Sequence, residues 1–347
     1  MITLEDIAKK AGVAHSTVSR ALADSPLVNA TTKAKIQQIA IESGYQVNQV
    51  ARNLKTRSTK TIGLVIPEVS NPYYPKLIQF IADEVRTSGF NLQLHLSGVH
   101  QEYEASCIAS LYEHRVDGIL LVTAENGLVA KEQVKSLSNS QTPVVLMGWI
   151  EEAEHFDIVT GNDAHGGSLL ASHLLSLGHR QIAIIGKPPH RGIFDRIHGF
   201  QSTLKSVGIS IQHNLTIRNS LAEEDQEIAS TVQFLINLPH PPTAIFAYQD
   251  SIAASVCKHL RNNNVSIPDQ MTVVGFDDIE LATYLEPQLT TVGGHIQPLA
   301  IDFVHLLVEK IQAKSNDTPT QTRVITPNLI IRGSCAAPRT SQLSLAR

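Results

Sequence analysis

Residues 3–20 read TLEDIAKKAGVAHSTVSR, and their pattern predicts the helices at the N-terminal end of the chain. Thr3 stands at its start, with Asp6 three residues later. A hydroxyl and a carboxylate at this spacing each accept a hydrogen bond from a backbone N–H that is otherwise free at a helix start. The pattern therefore predicts a capped helix over about residues 4–11.

A turn at Gly12 separates this helix from a second short one, which is expected over about residues 15–23. Two short helices joined by a glycine-containing turn form a helix-turn-helix. A third helix is expected over about 31–43, with Asn29 as its N-cap and Ala34 among its inward-facing residues. This end of the chain therefore predicts a small all-α head.

The charge of the chain is uneven. Residues 1–60 hold nine Lys and Arg against four Asp and Glu, whereas the rest of the chain holds 19 against 28. A basic segment followed by an acidic body is typical of a local nucleic-acid site. A solvated charged face would give the same count, so the motifs have to decide between the two interpretations.

Length and composition exclude several classes of protein. A chain of 347 residues with 42% hydrophobic and 17% charged residues suits two or three folded domains. It contains no apolar run of about 18 residues that would span a membrane, and its acidic start is unlike a signal peptide. A cytoplasmic location is therefore expected. Cys107, Cys257 and Cys335 lack disulfide or metal-binding spacing and are expected to be buried thiols.

Short apolar runs alternate with helical patterns from Thr61 onward. Such alternation predicts parallel sheets with helices on both faces. The runs form two series separated near Gly161, which predicts two doubly wound lobes with a cleft between them. The first series is 62–66, 92–94, 118–122 and 144–147, and the second is 182–185, 244–247 and 272–275.

Polar and aromatic side chains follow these predicted strands, where open parallel sheets bind their ligands. Aromatic rings can cover the C–H face of a sugar ring, and Asp, Arg and Gln side chains can form hydrogen bonds with its hydroxyl groups. This combination favours a sugar or a sugar acid as the ligand. Structural alternatives stand beside this interpretation. Asp163 and Asp250 can cap the helices that follow them, Trp149 can equally be a core residue, and Arg196 is expected in an ion pair inside one lobe.

Linked motifs in the chain resemble the LacI/GalR family of bacterial transcription regulators. The head motifs are TLEDIA-x-x-AGV at 3–13, TVSR at 17–20 and GY at 44–45, and the body adds NPY at 71–73, RVDG at 115–118, ND at 162–163, GHR at 178–180, R-x-x-GF at 196–200 and GFD at 275–277. The resemblance covers almost the whole chain. It implies an all-α helix-turn-helix head and an α/β body of two doubly wound parallel-sheet lobes, like the periplasmic binding proteins.

By this resemblance the second helix enters the major groove of operator DNA, where His15, Ser16 and Arg20 read base edges. Arg20 is expected to recognise a guanine because its guanidinium group can donate two hydrogen bonds to one base. Two positions depart from the family pattern, since Ala14 replaces the usual Ser and Val47 replaces a frequent Pro. The expected DNA-binding residues are Leu4, His15, Ser16, Thr17, Ser19, Arg20, Asn29, Tyr45, Asn48, Ala51, Leu54 and Lys55.

Residues 48–60 correspond to the hinge of the family. Their helical spacing covers about two turns, which is too short for a stable helix in water. The resemblance implies a helix that orders on operator DNA beside its symmetry mate and inserts Leu54 into the minor groove, kinking the duplex. The alternative is that Leu54 is a core residue of an ordinary linker helix.

The resemblance also implies the effector site and the domain boundaries. The expected effector-binding residues are Tyr73, Tyr74, Trp149, Asp163, Arg191, Gln249 and Asp277. The expected head is 1–47, the hinge 48–60, the body 61–335 and the tail 336–347, with a first lobe of about 61–161 and 293–322 and a second of about 162–292 and 323–335. The tail lacks the leucine heptads of a tetramerising coiled coil, so a homodimer is expected.

The chain contains none of the common catalytic motifs, so no enzyme activity, cofactor or metal is expected. The expected function is a repressor of carbohydrate-utilisation genes that binds a palindromic operator and responds to a sugar-like effector. One alternative is a regulator that responds to a nucleobase or another small metabolite, although Leu221 stands where purine-sensing relatives have an aromatic residue. A stand-alone sugar-binding protein and a sugar-modifying enzyme are the remaining alternatives. The sequence leaves open whether the effector is an inducer or a corepressor.

Overall fold

The computed structural model describes residues 2–45, 58–98, 101–122, 142–148, 155–186, 191–211, 213–216, 221–313 and 319–339, without the side chains of 101, 191–192, 213–216 and 221–223. Contacts divide the chain into two compact units, which meet in sequence between Thr59 and Lys60. No helix in the described ranges is long and apolar enough to cross a bilayer.

The first unit is a head of three helices, α1 (Leu4–Ala11), α2 (His15–Leu22) and α3 (Ala30–Glu42). The predicted capping box is confirmed: the Thr3 hydroxyl accepts from the Asp6 N–H at 3.3 Å, and the Asp6 carboxylate accepts from the Thr3 N–H at 3.0 Å. These bonds from Thr3 hold the pKa of Asp6 below its usual value. Asn29 caps α3, as predicted, by accepting from Thr32 N–H at 2.8 Å.

The head core takes residues from all three helices. Ile7, Val18 and Ile36 are fully buried there, and burial of an aliphatic side chain of this size contributes about 1.5–3 kcal/mol. The prediction that Ala34 faces inward was wrong, since it is exposed. The buried stripe of α3 passes through Ile36 and Ala40, and a residue two positions before Ile36 lies about 200° around the helix.

The first lobe of the body is built on a six-stranded parallel sheet of order β11-β5-β4-β3-β1-β2. Alternate strand residues bury on opposite faces, as Leu64 and Val65 do in two separate clusters, and this explains the continuous apolar runs. The strands are β1 (Thr61–Ile66), β2 (Asn91–Leu96), β3 (Gly118–Val122), β4 (Val144–Met147), β5 (Asp157–Gly161) and β11 (Thr322–Ile325), and the helices are α4 (Tyr73–Thr87), α5 (Gln101–Glu113) and α11 (Ile296–Ala313).

The second lobe repeats this plan with a four-stranded parallel sheet of order β7-β6-β8-β9. Ile184 and Ile185 pack into clusters on its two faces. The strands are β6 (Ile182–Gly186), β7 (His213–Thr216), β8 (Ala244–Ala247) and β9 (Thr272–Val274), and the helices are α6 (Asp163–Ser176), α7 (Arg191–Ser206), α8 (Leu221–Ile236), α9 (Asp250–Asn262) and α10 (Leu281–Tyr284). The fold class predicted from the sequence is confirmed.

The chain passes between the lobes beside a short antiparallel pair, β10 (Thr291–Gly293) and β12 (Asn328–Ile330). Because β11 pairs with β5, the first lobe extends to Ile325, a few residues past the expected boundary near 322. The sequence did not indicate β11, whose pairing depends on a partner strand more than 150 residues away.

The cysteines are free thiols. Cys257 is buried, and Cys107 and Cys335 are half-buried, so the expectation of buried thiols holds fully for Cys257. Burial raises the pKa of the Cys257 thiol to about 12, which keeps it protonated and unreactive at neutral pH.

Candidate functional site

The exposed face of α2 carries the residues expected to read DNA. His15, Ser16 and Arg20 are exposed, whereas Val18 and Ala21 on the opposite face are buried in the head core. The helix begins without a side-chain cap, because Ala14 offers no hydroxyl to the free N–H groups of the first turn. The free N–H groups and the exposed basic side chain suit an anionic partner.

Other expected DNA-binding residues of the head have structural roles. Leu4 and Tyr45 are half-buried and pack against the head core, and Asn29 uses its amide oxygen to cap α3. Thr17 and Ser19 are half-buried on α2. The hinge residues Asn48, Ala51, Leu54 and Lys55 lie outside the described residues.

Arg196 is the centre of a buried polar cluster in the second lobe. One of its terminal nitrogens, Nη2, lies 3.1 Å from Asp163 Oδ2 and 3.3 Å from Asp277 Oδ1. The other, Nη1, donates to the carbonyl of Tyr248. The guanidinium carbon lies 3.4 Å from the centre of the Phe276 ring, so the fork is also stacked on an aromatic face. Two carboxylates therefore share one fixed cation.

Glycines bring Asp163 and Arg196 together. A Cβ at Gly167 would lie 2.0 Å from the carbonyl oxygen of Arg196, and one at Gly199 would lie 1.9 Å from the carbonyl oxygen of Ala164. The backbones of α6 and α7 are thus in direct contact at these two positions. Any larger residue would separate the helices and the ion pair that they carry.

Asp163 and Asp250 are not the helix caps that one alternative expected. Asn162 caps α6 by accepting from His165 N–H at 3.1 Å, which leaves Asp163 free for Arg196. Asp250 is fully buried and accepts from the Thr291 hydroxyl at 2.6 Å and from the Ile279 N–H at 3.0 Å. It ties the loop after β9 to the crossing strand β10.

That loop carries Asp277 in an unusual conformation. Its φ is 105°, in the left-handed region that side-chain-bearing residues rarely adopt, and its N–H donates to the Val292 carbonyl at 2.8 Å. Burial raises the pKa of Asp277 to about 7, with Arg196 opposing the rise and Asp163 adding to it. The protonated form of Asp277 is therefore easier to reach near neutral pH than that of an exposed carboxyl, and in that form the group can donate a hydrogen bond.

The first lobe contributes aromatic rings at the start of α4. The rings of Tyr73 and Tyr74 lie edge to face, 5.4 Å between centres. Burial raises the pKa of the Tyr73 phenol, and the charges of Asp277 and Asp163 raise it further, so the phenol is neutral and within electrostatic range of the cluster. That Tyr73, Asp163 and Asp277 together bind an effector stays a prediction.

The remaining expected effector residues are not joined to the cluster by a described contact. Gln249 is half-buried and precedes α9, without a capping bond from its side chain. Arg191 begins α7, but its side chain lies outside the described atoms, and so does the whole of Trp149.

Sequence reasoning missed three members of the cluster. The prediction of an ion pair at Arg196 is confirmed, and its partners are the two carboxylates that were expected to bind effector, which makes Arg196 part of the candidate site. Phe276 lies beneath the guanidinium, and the ring of His295 meets Phe276 edge to face at 6.1 Å. Burial lowers the pKa of His295 and keeps it neutral at pH 7. The R-x-x-GF spacing at 196–200 was the available signal for Arg196.

Two family profiles match the chain. Residues 3–48 match "Bacterial regulatory proteins, lacI family", and residues 171–335 match "Periplasmic binding protein-like domain". The chain is 30% identical over 318 residues to the HTH-type transcriptional repressor PurR of Vibrio atlanticus (strain LGP32), covering 91% of this chain and 94% of that protein. It is also 30% identical over 335 residues to the HTH-type transcriptional regulator DegA of Bacillus subtilis (strain 168), covering 96% and 97%.

Solved structures share the fold. The lac repressor dimer bound to operator and the anti-inducer ONPF superposes with a TM-score of 0.85 at 22% identity, covering 97% of this chain and 99% of that one. A LacI family transcriptional regulator from Enterococcus faecium with bound ribose superposes with a TM-score of 0.70 at 27% identity, covering 80% and 99%.

Proposed function

Because the chain belongs to the LacI family of bacterial regulatory proteins, we propose that it represses carbohydrate-utilisation genes in the cytoplasm under the control of a sugar-like effector. Like its relatives it is a DNA-binding transcription regulator with a small-molecule-binding body, and not an enzyme. The observation that supports the sugar assignment is the Arg196 fork between Asp163 and Asp277, beside the ring of Tyr73.

Hydroxyl groups suit this cluster. A hydroxyl both donates and accepts, and the two carboxylates accept while the Tyr73 phenol and the protonated form of Asp277 donate. The fork is held in place by the Tyr248 carbonyl and by Phe276, so it is positioned before any ligand arrives. The relative from Enterococcus faecium holds ribose, which supports the same ligand class here.

A nucleobase is the second candidate effector. The edge-to-face pair of Tyr73 and Tyr74 can cover a planar base as well as the C–H face of a sugar. The two ligand classes differ in the arrangement of the groups that can form hydrogen bonds with the carboxylates. A base presents these groups along one flat edge, whereas a sugar presents hydroxyls around a ring.

On the DNA side, two chains bind a near-palindromic operator, each inserting α2 into the major groove of one half-site. Arg20 donates to a guanine, while His15 and Ser16 contact neighbouring bases. By the same proposal residues 48–60 are the hinge and its linker, and Leu54 enters the minor groove and kinks the duplex. Closure of the lobes on the effector changes the spacing of the two hinges and so changes operator affinity.

Selection from random duplexes tests the DNA half of the proposal. The full chain is expected to enrich a near-palindromic site, and Arg20→Ala is expected to lose preference at one base pair of each half-site. Lys9→Ala, an exposed α1 lysine, serves as the charge-matched control and should lower affinity for all duplexes alike. Enrichment of no sequence would contradict the proposal.

A thermal-shift screen of the full chain tests the effector half. Sugars, sugar acids, sugar phosphates and nucleobases are compared, and a sugar is expected to raise the unfolding temperature. Asp277→Asn should abolish the shift, whereas the control Asp83→Asn, at a surface carboxylate of α4, should keep it. A response to nucleobases alone would favour the second candidate, and no response to any sugar would contradict the sugar assignment.

A further inference from the structure

The helix that carries Tyr73 also reaches the second lobe through a lysine. α4 belongs to the first lobe, where its residues Leu77 and Ile81 are fully buried in the core. Lys76 lies on the same helix, and its ammonium group donates to the backbone carbonyl of Asp278 at 3.2 Å. Asp278 follows β9 in the second lobe. The bond therefore joins the two lobes at the edge of the polar cluster.

The Asp278 carbonyl is presented by a turn in a costly conformation. Asp278 has a φ of 52°, next to Asp277 at 105°, and two successive side-chain-bearing residues in this region are strained. Such a turn persists only where its surroundings hold it. The Asp278 carboxylate pairs with Arg332, and the next N–H along, that of Ile279, is bonded to buried Asp250.

Strand β10, which crosses between the lobes, leaves room for the turn at Asp278. A Cβ at Gly293 of β10 would lie 2.1 Å from the Cβ of Asp278, so only glycine admits this approach. The side chain of Asp278 thus rests on the strand that passes between the lobes, while its carbonyl faces α4. The hydrogen bond from Lys76 of the first lobe therefore ends on the loop that holds Asp277.

We propose that Lys76 is a positioning residue that latches the lobes in their closed arrangement through the Asp278 carbonyl. The inference rests on the proposed function in one respect, namely that lobe closure forms the effector site. A hydrogen bond from a charged donor shifts a two-state equilibrium by roughly ten-fold. The latch raises the closed population before any effector arrives. Effector affinity rises by up to that factor, because it is proportional to the fraction of molecules that is already closed.

The experiment measures closure without any effector. Spin-labelled amino acids are genetically encoded at exposed Glu113 of α5 and exposed Asn262 of α9, which leaves the three cysteines in place. Labelled full chain is diluted with unlabelled chain, so that most dimers carry labels on one chain only. The distance between the two labels is then measured by pulsed electron paramagnetic resonance. Lys76→Met is expected to raise the open-to-closed ratio roughly ten-fold. Lys76→Arg, which keeps a charged donor, should restore most of the closed population.

Lys205→Met, at an exposed lysine of α7, is the matched control and should give the wild-type distribution. Lys76→Gln is measured in parallel, and circular dichroism verifies that each variant is folded. A distance distribution of folded Lys76→Met or Lys76→Gln equal to that of wild type would overturn the latch. An equal change in Lys205→Met would overturn it too. Neither result depends on the outcome of the effector screen. Failure of the Lys76 proposal and failure of the proposed function can therefore be told apart.

Discussion

Replacement of Arg196 by methionine is the sharpest test of the polar cluster. Methionine retains an apolar stem over Phe276 but removes the fork that Asp163 and Asp277 share. The side chains of these two carboxylates are 15% and 6% exposed, so water cannot replace the lost cation. Where both carboxyls are ionised, the variant therefore leaves two neighbouring negative charges buried without Arg196.

The expected loss of unfolding free energy is large and depends on pH. Breaking a buried ion pair by removing one partner costs about 3–5 kcal/mol. Because Arg196 lowers the pKa of Asp277, its removal lets that pKa rise above 7. Between that raised pKa and 7 the carboxyl is neutral in the variant but charged in wild type, so each pH unit of acidification in this interval reduces the loss by up to about 1.4 kcal/mol. We expect a larger loss near pH 8 than near pH 5.5.

Urea unfolding of the full chain, followed by circular dichroism at both pH values, measures this loss. Arg86→Met is the control, because Arg86 pairs with Asp83 on the surface with side chains 76% and 59% exposed. Removal of an exposed pair should cost less than about 1 kcal/mol. A loss for Arg196→Met that equals the control, or one that does not shrink on acidification, would refute the account of the cluster.

Four further outcomes are expected. Ala14→Ser should add the missing cap of α2 and raise the unfolding free energy of the head by about 1 kcal/mol, measured by urea titration, and no gain would mean that the helix start is satisfied otherwise. Arg20→Ala should reduce the ratio of operator to random-DNA affinity by about 5- to 150-fold for each half-site in anisotropy titrations, and an unchanged ratio would show that Arg20 does not read a base. Leu54→Ala should weaken specific binding and straighten the operator in a gel-bending assay, whereas a wild-type bend would rule out insertion. Burial raises the Asp277 pKa from 3.8 to about 7, so its contribution to stability is present below about pH 4 and lost as the pH rises through 7; Asp277→Asn should flatten that part of the stability curve, and an unchanged slope would contradict the assignment.

The local features of this chain could be predicted from its sequence. The Thr3 and Asp6 capping box and the Asn29 cap depend on residues three apart, and the structure confirms both. The apolar runs of the sheets could be recognised because strands buried on both faces have no polar alternation to obscure them. Leu64 and Val65, adjacent in β1 and buried in different clusters, illustrate this.

The composition of the polar cluster could be predicted only in part. Asp163 and Asp277 were expected from their places after strands, but their shared partner Arg196 lies 33 and 81 residues away in sequence. No local pattern reveals such a pairing, because it depends on the close approach of two helices at glycines. Gly167 permits that approach, and its requirement became visible only in three dimensions.

The Lys76 contact was equally hidden from sequence reasoning. Its partner is a backbone carbonyl 202 residues later, and a carbonyl carries no sequence signal of its own. Only the unusual turn at Asp277 and Asp278, imposed by the surrounding loop and by Gly293, gives that carbonyl its direction.

We expect the body and the head to be thermodynamically coupled, so that effector and operator change each other's affinity. The most direct measurement is a titration of the full chain with its selected operator, at increasing concentrations of the sugar that stabilises it most, together with the reverse titration of sugar at increasing operator. Both series should give the same coupling factor, between about 5- and 150-fold, because the linkage of two ligands is reciprocal. Operator affinity that stays constant from zero to saturating sugar would contradict the account.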